Sequence, residues 1–433
     1  MDDFINKLIS RRGMLKCSKN SLGTLFVISQ ATGIPIPLLL KIDQAQAIEP
    51  IETKMFVVVQ NRSAIRSNDF NHSAEAQPAM LDKNWNDDQR ITVEHGDSTS
   101  LMPPGIGNLS QFGDRLTALV GVDTQNNGHE AGNRNATSNA ITGVAANSMH
   151  VIVGGASASV IRNVNFGATN TYTNGANSGG TSPQQFLNSL ETPPGPSEQI
   201  VTRLEQFRNS FHKEVTKKLP TGDQKTIERY WESNGSFHLA KERAEALFTN
   251  AAPANSVAGQ LEMARRIFNA GLANAFTISG GGNFDTHGGN GPQVRLAEAM
   301  SNNIAEFLTN MQNSDQIDMV NVMITSAFGR NPIFNGNAGT DHLPSNGHVT
   351  LIGPDFKAGS FGKTTNTATG RGTVGWAVDK ATGATTTAAN PGGNYQLMNA
   401  ANVNKTILEA IGIDKATNER FFPNTDVLDF LKK

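Results

Sequence analysis

Cysteine is nearly missing from this chain: one occurs in 433 residues, Cys17, close to the N-terminus. Beyond it no disulfide and no thiolate metal site can form, so the rest of the chain must hold together by packing alone. An excess of either charge is missing as well, with 36 Lys and Arg against 38 Asp and Glu and a formal net charge of -2. A balance this near neutral leaves no electrostatic footprint for nucleic acid or an anionic membrane, and neither is expected as a partner. No Gly-x-Ser-x-Gly elbow follows a strand pattern, which argues against a Ser-His-Asp hydrolase. A Walker loop is absent, and Gly280-Gly281-Gly282 lacks the later glycine and acidic residue of a dinucleotide fingerprint, so nucleotide cofactors are not expected. The chain shows no internal repeat.

A long unbroken apolar run is lacking too. The stretch from Leu22 to Leu40 is interrupted by Ser29, Gln30, Thr32, Pro35 and Pro37, too polar for a comfortable bilayer span of roughly 20 residues. Ahead of it stands Ser10-Arg11-Arg12-Gly13-Met14-Leu15-Lys16, and behind it Ala45-Gln46-Ala47. A charged region, a weakly apolar region and a small-residue site, in that order, read as a twin-arginine export signal over residues 1–47 with cleavage after Ala47. On this reading the twin-arginine translocation machinery is a partner. The mature chain is then periplasmic or extracellular, with no stable membrane span.

Residues 48–433 suffice for one large domain or two modest ones and are assigned to a single α/β domain. Apolar runs at Met55 to Val59, Leu116 to Val122, His150 to Val153, Ala275 to Ile278, Val320 to Ile324 and His348 to Ile352 are continuous, as in strands buried on both faces. Amphipathic helices are predicted where Ile200, Leu204, Phe207, Phe211 and Val215, and again Leu296, Met300, Ile304, Phe307 and Met311, recur at helical spacing. Alternation of the two predicts an α/β fold around a mostly parallel sheet. Pro196 and Ser197 open a strand-free block to about residue 250 that reads as a helical cap, its first helix closed by Pro220. Two segments rich in Asn, Gly, Thr and Ser, Asn163 to Ser182 and Thr364 to Asn394, read as long surface loops.

The informative histidines stand beside strand ends. Asp285-Thr286-His287 follows the Ala275 strand through three glycines; Asp341-His342 follows Asn335-Gly336-Asn337-Ala338-Gly339; His348 opens the next strand. Ligands of open parallel sheets collect outside the carboxyl ends of the strands, and carboxylate oxygen with imidazole nitrogen suits zinc, manganese or iron better than magnesium. A single Asp-x-His is explained more often by a structural histidine; two such pairs in glycine-rich turns make a candidate metal site. The stretch Gly128 to Ala140 resembles a strand-to-helix turn, where Thr137 or Ser138 at a helix start would be a candidate nucleophile, or simply a cap. Arg330 is a candidate partner for a bound oxyanion, or a surface arginine.

Phe284-Asp285-Thr286-His287, Ser326-Ala327-Phe328-Gly329-Arg330, Asn335 to His342, and His348 with its strand resemble the secreted domain-of-unknown-function 1501 family, grouped with the alkaline phosphatase and sulfatase superfamily. The resemblance runs through most of the mature chain and is strongest from Phe284 to Gly362. It implies an alkaline-phosphatase-like three-layer α/β/α sandwich, with Asp285, His287, Asp341, His342 and His348 as ligands of a divalent metal. Ala327 stands where family members commonly carry glutamate, and Gln60-Asn61-Arg62-Ser63 follows the first strand with no acid until Asp69. Those substitutions point to one metal or none rather than two. Two functions follow: an exported metal-dependent hydrolase of small phosphate or sulfate esters, and a non-catalytic envelope or extracellular binding and assembly protein that keeps the fold.

Overall fold

The computed structural model describes residues 54–139, 147–157, 159–167, 170–173, 176–190, 243–244, 247–370, 372–387 and 392–433. The segment expected to be an export signal and nearly all of the expected helical cap lie outside the described residues. Every element considered below belongs to one compact unit formed by residues 48–187 and 246–433.

That unit is a mixed α/β structure with a central sheet of seven strands. In chain order the strands are β1 (Met55–Asn61), β2 (Leu116–Val122), β3 (Val164–Asn165), β4 (Ala275–Ser279), β5 (Val320–Ser326), β6 (Gly347–Ile352) and β7 (Gly359–Phe361). Their order across the sheet is β7-β2-β6-β5-β1-β4-β3. Only β6 runs antiparallel to its neighbours β2 and β5; the other pairs are parallel. Val58 of β1 sits in register with Thr277 of β4 and Met323 of β5. Each residue of β1, β2, β5 and β6 is buried, which explains why their sequences are continuous apolar runs instead of an alternation.

Successive side chains on a strand point to opposite faces. On one face Phe56, Val58, Leu119, Met323 and Leu351 form a core with helices α2 (Met149–Ala156) and α5 (Ala400–Ala410). The helix between β2 and α2, α1 (His129–Thr137), packs on α5. Helices α3 (Val257–Asn269) and α4 (Pro292–Asn313) pack on each other, and α3 packs on β4. Helix α4 has proline in its first turn, where the missing N–H costs nothing, and buries Met300, Ile304, Phe307 and Met311 as their spacing predicts. Among the described residues no helix is long and apolar enough to cross a membrane.

The expected strand at His150 to Val153 is instead part of α2. A four-residue apolar run does not distinguish strand from buried helix. The longer pattern does, since Met149, Ile152, Val153 and Ala156 all face the core at helical spacing. The two segments expected as surface loops are partly structured. Asn163 to Ser182 supplies the edge strand β3 and a hairpin, Asn170–Thr173 with Ala176–Gly179, and buries Phe166 and Tyr172. Thr364 to Asn394 holds short antiparallel pairs, Thr364–Asn366 with Thr373–Gly375 and Ala377–Asp379 with Thr385–Thr386. In both segments strands of two to four residues fall below the length at which a period can be read.

Candidate metal centre

The parallel strands end along one edge of the sheet, and five chemically active side chains project from the loops beyond it. Past β4 the chain turns through Gly281 and Gly282, both at positive φ (67° and 68°), a region other residues adopt only with strain. That turn delivers Asp285 and His287. The loop before β6 delivers Asp341 and His342, and it lies so close that a Cβ on Gly339 would stand 2.1 Å from the His287 carbonyl oxygen. Only glycine permits this approach. The fifth side chain, His129, opens helix α1 just past β2.

The two ligand loops are tied from behind. Thr340 N–H donates to the Thr286 carbonyl at 3.1 Å, and Asn290 N–H to that of Ala338 at 2.8 Å. Asn290 in turn donates its amide to Asp69 at 2.7 Å, and Asp69 is fully buried against Arg66 and Trp85. Asp69, the first acid after β1, therefore works as a buried brace and not as a member of the centre.

All three imidazoles of the group are oriented in the same way. His342 Nδ1 lies 2.8 Å from the Asn127 carbonyl, His129 Nδ1 3.1 Å from that of Arg62, and His287 Nδ1 3.1 Å from an Asp341 carboxylate oxygen. These oxygens can only accept, so each Nδ1 donates and each ring turns its Nε2 to the centre. The Nε2 atoms of His287 and His342 are 2.9 Å apart. Asp285 Oδ1 is 3.2 Å from the first and 3.3 Å from the second, while Asp285 Oδ2 is 3.5 Å from His129 Nε2. Lone pairs facing one another at these distances repel unless a proton or a metal cation lies among them. Ligand atoms held about 2.0–2.2 Å from a tetrahedral zinc stand roughly 3.3 Å apart, close to the spacing found here.

His129, Asp285 and His342 could hold a metal ion, with one ligand atom from each lying within 4.8 Å of the others. Burial pushes the pKa of His342 down and the Asn127 carbonyl and Asp285 pull it up; with Arg330 and His287 also pushing down, it is held below its ordinary value, which favours the neutral form a ligand needs. Burial pulls Asp285 upward, but contact with His342 and with the Arg330 guanidinium outweighs it and holds the carboxyl below its ordinary value. Hydrogen bonds from Asn335 and His287 hold Asp341 low as well.

Several residues singled out from sequence lie elsewhere. His348 is buried within β6, its Nε2 3.5 Å from Ser326 Oγ and its ring edge-on to Phe70, and it does not join the group. His348 is the second residue of β6, as its place at the head of an apolar run predicts, but its ring is turned into the interior and away from the loops. Thr137 and Ser138 lie at the end of α1 and not at its start. Both are fully buried and return their hydroxyls to the Asn133 and Arg134 carbonyls, at 3.4 and 2.6 Å. The nucleophile assignment fails on that geometry, since the dipole at a helix end opposes an alkoxide. Arg330 is fully buried, its guanidinium spent on the Ala64 and Thr340 carbonyls and on Asp285, so it has no face to offer an oxyanion. His129 is the residue the motif pattern missed, although it stands beside a strand end as Asp285 does.

Fold and site together define a mixed α/β protein with a mostly parallel sheet and, at its carboxyl edge, a His/Asp group able to hold a metal ion. A family model described as "Protein of unknown function (DUF1501)" matches residues 202–417, which supports the domain-of-unknown-function family that the motifs resemble. The match takes in Asp285, His287, Arg330, Asp341 and His342 and leaves His129 outside. No curated protein matches the chain.

Proposed function

We propose that the chain is an exported, metal-dependent hydrolase-like protein acting on phosphate or sulfate esters, built on an alkaline-phosphatase-like α/β/α sandwich. The observation that carries this reading is the convergence of three Nε2 atoms on one carboxylate, each imidazole fixed through its other nitrogen. An imidazole-rich set with a single inner carboxylate favours zinc over manganese. Bound there, a divalent cation would polarise an ester oxygen and acidify a water. The chain's own contribution is orientation: Asn127, Arg62 and Asp341 fix the three rings, and His287 and Asp341, at 45% and 61% side-chain exposure, leave the centre open to a small substrate. With Thr137 and Ser138 buried, the attacking group on this reading is water.

A second reading, a non-catalytic envelope or extracellular binding protein, is favoured by Ala327, which packs with Ala64 and Phe328 where a carboxylate would enlarge the centre. Protein purified after export separates the two. The hydrolase reading expects about one equivalent of transition metal and cleavage of an aryl phosphate or aryl sulfate that a chelator abolishes and zinc restores. Metal without cleavage favours the second reading, and neither metal nor cleavage sinks the first. Export has its own test. Changing Arg11 and Arg12 to lysine is expected to leave uncleaved precursor in the cytoplasm, and normal export of that variant would rule out the twin-arginine route.

A further inference from the structure

Three imidazoles and two carboxylates are enough donors for either one cation or two. The geometry points to one: the Arg330 guanidinium takes the position a second cation would need, so the centre binds a single divalent ion. This inference rests on the metal-centre reading above. Asp285 Oδ1 is shared between two sides, with the His287 and His342 Nε2 atoms 3.2 and 3.3 Å away on one and Arg330 Nη2 on the other. A fixed organic cation thus takes one of the two sides of this oxygen.

Arg330 cannot leave that place cheaply. Its side chain is fully buried, and its other N–H groups are held by the Ala64 carbonyl at 2.9 Å and by the Thr340 carbonyl. Those acceptors are neutral, so Asp285 is the carboxylate in contact with it, and a buried charge stays with its partner. Two of the neighbouring strand ends supply no acid: β1 ends in Gln60 and Asn61, and β5 is followed by Ala327. The carboxylates touching the imidazoles are Asp285 and Asp341, which with Arg330 leave one net negative charge when the rings are neutral. One dication takes this to one net positive charge. A second would take it to three, an excess of like charge held within a few ångströms of the fixed guanidinium.

The test is a titration of the cation-free full chain with cobalt(II), followed by visible absorption and by calorimetry. Saturation at one equivalent is expected, and tight uptake of two equivalents would overturn the inference. No tight uptake at all removes the metal-centre reading beneath it, so the two failures are distinguishable. The role of Arg330 is read with Arg330→Gln, which keeps amide donors for the carbonyls and removes the charge. Once circular dichroism shows that this variant folds, it is expected to bind cobalt at least tenfold more tightly. Weaker binding by the folded variant would make Arg330 a brace of the loops and not an occupant of a cation position. Wild-type stoichiometry decides the inference even if the variant does not fold.

Discussion

Replacing His342 with alanine is expected to lower affinity for zinc or cobalt by about a hundredfold to a thousandfold. A structural zinc site of four ligands is worth roughly 10–16 kcal/mol, so one ligand carries about 2.5–4 kcal/mol, or roughly two to three decades of affinity. His129→Ala is expected to match it. Asp341→Asn should cost less, about tenfold to a hundredfold, because Asp341 holds His287 Nδ1 at 3.1 Å without entering the inner group. His348→Asn is expected to leave affinity unchanged, since His348 is buried against Phe70 and Ser326. Calorimetric titration of folded variants reads all four. Equal losses for His342→Ala and His348→Asn would mean that the centre is not where these imidazoles converge.

The contrast between His342 and His348 also marks what the sequence could and could not reveal. The sheet was legible because β1, β2, β4 and β5 are continuous apolar runs and α4 carries a clear helical period. Asp285, His287, Asp341 and His342 were legible because each follows a glycine-rich turn beside a strand. His348 was misread because the sequence places it at the head of a strand but does not show where its ring turns, which is inward against Phe70 and Ser326. Ser138 and Thr137 were misread by the length of one helix, because α1 begins at His129 and the hydroxyls fall at the wrong pole. His129 carries no motif of its own. Only the tertiary contact of its Nε2 with Asp285, at 3.5 Å and far apart in sequence, gives it a role.

Acidification is expected to destabilise the protein steeply between pH 6.5 and 4. Burial drives His72 down to about 4; the Ala76 carbonyl pulls it up, and Arg66 and Arg90 push it down. Burial, with His72 as a second cause, drives His348 down to about 3. Both folded-state values lie below the ordinary 6.5, so below that pH the unfolded chain takes up protons that the folded chain refuses. Stability is therefore full above pH 6.5, falls as pH drops, and levels off only below the folded values. At pH 5 each histidine costs about 2 kcal/mol and the pair about 4 kcal/mol, a large share of the 5–15 kcal/mol typical of a folded domain. His342 and His95, also held low by burial, steepen the same window. Asp285 and Asp341, held below 3.8, add their loss only at more acid pH. Urea midpoints measured from pH 7.5 to 4.5 check the slope, and a His72→Gln, His348→Gln variant should be less stable at pH 7.5 yet lose less on acidification. If wild type and variant fall in parallel, the acid sensitivity belongs to other groups and the two buried rings are not its source.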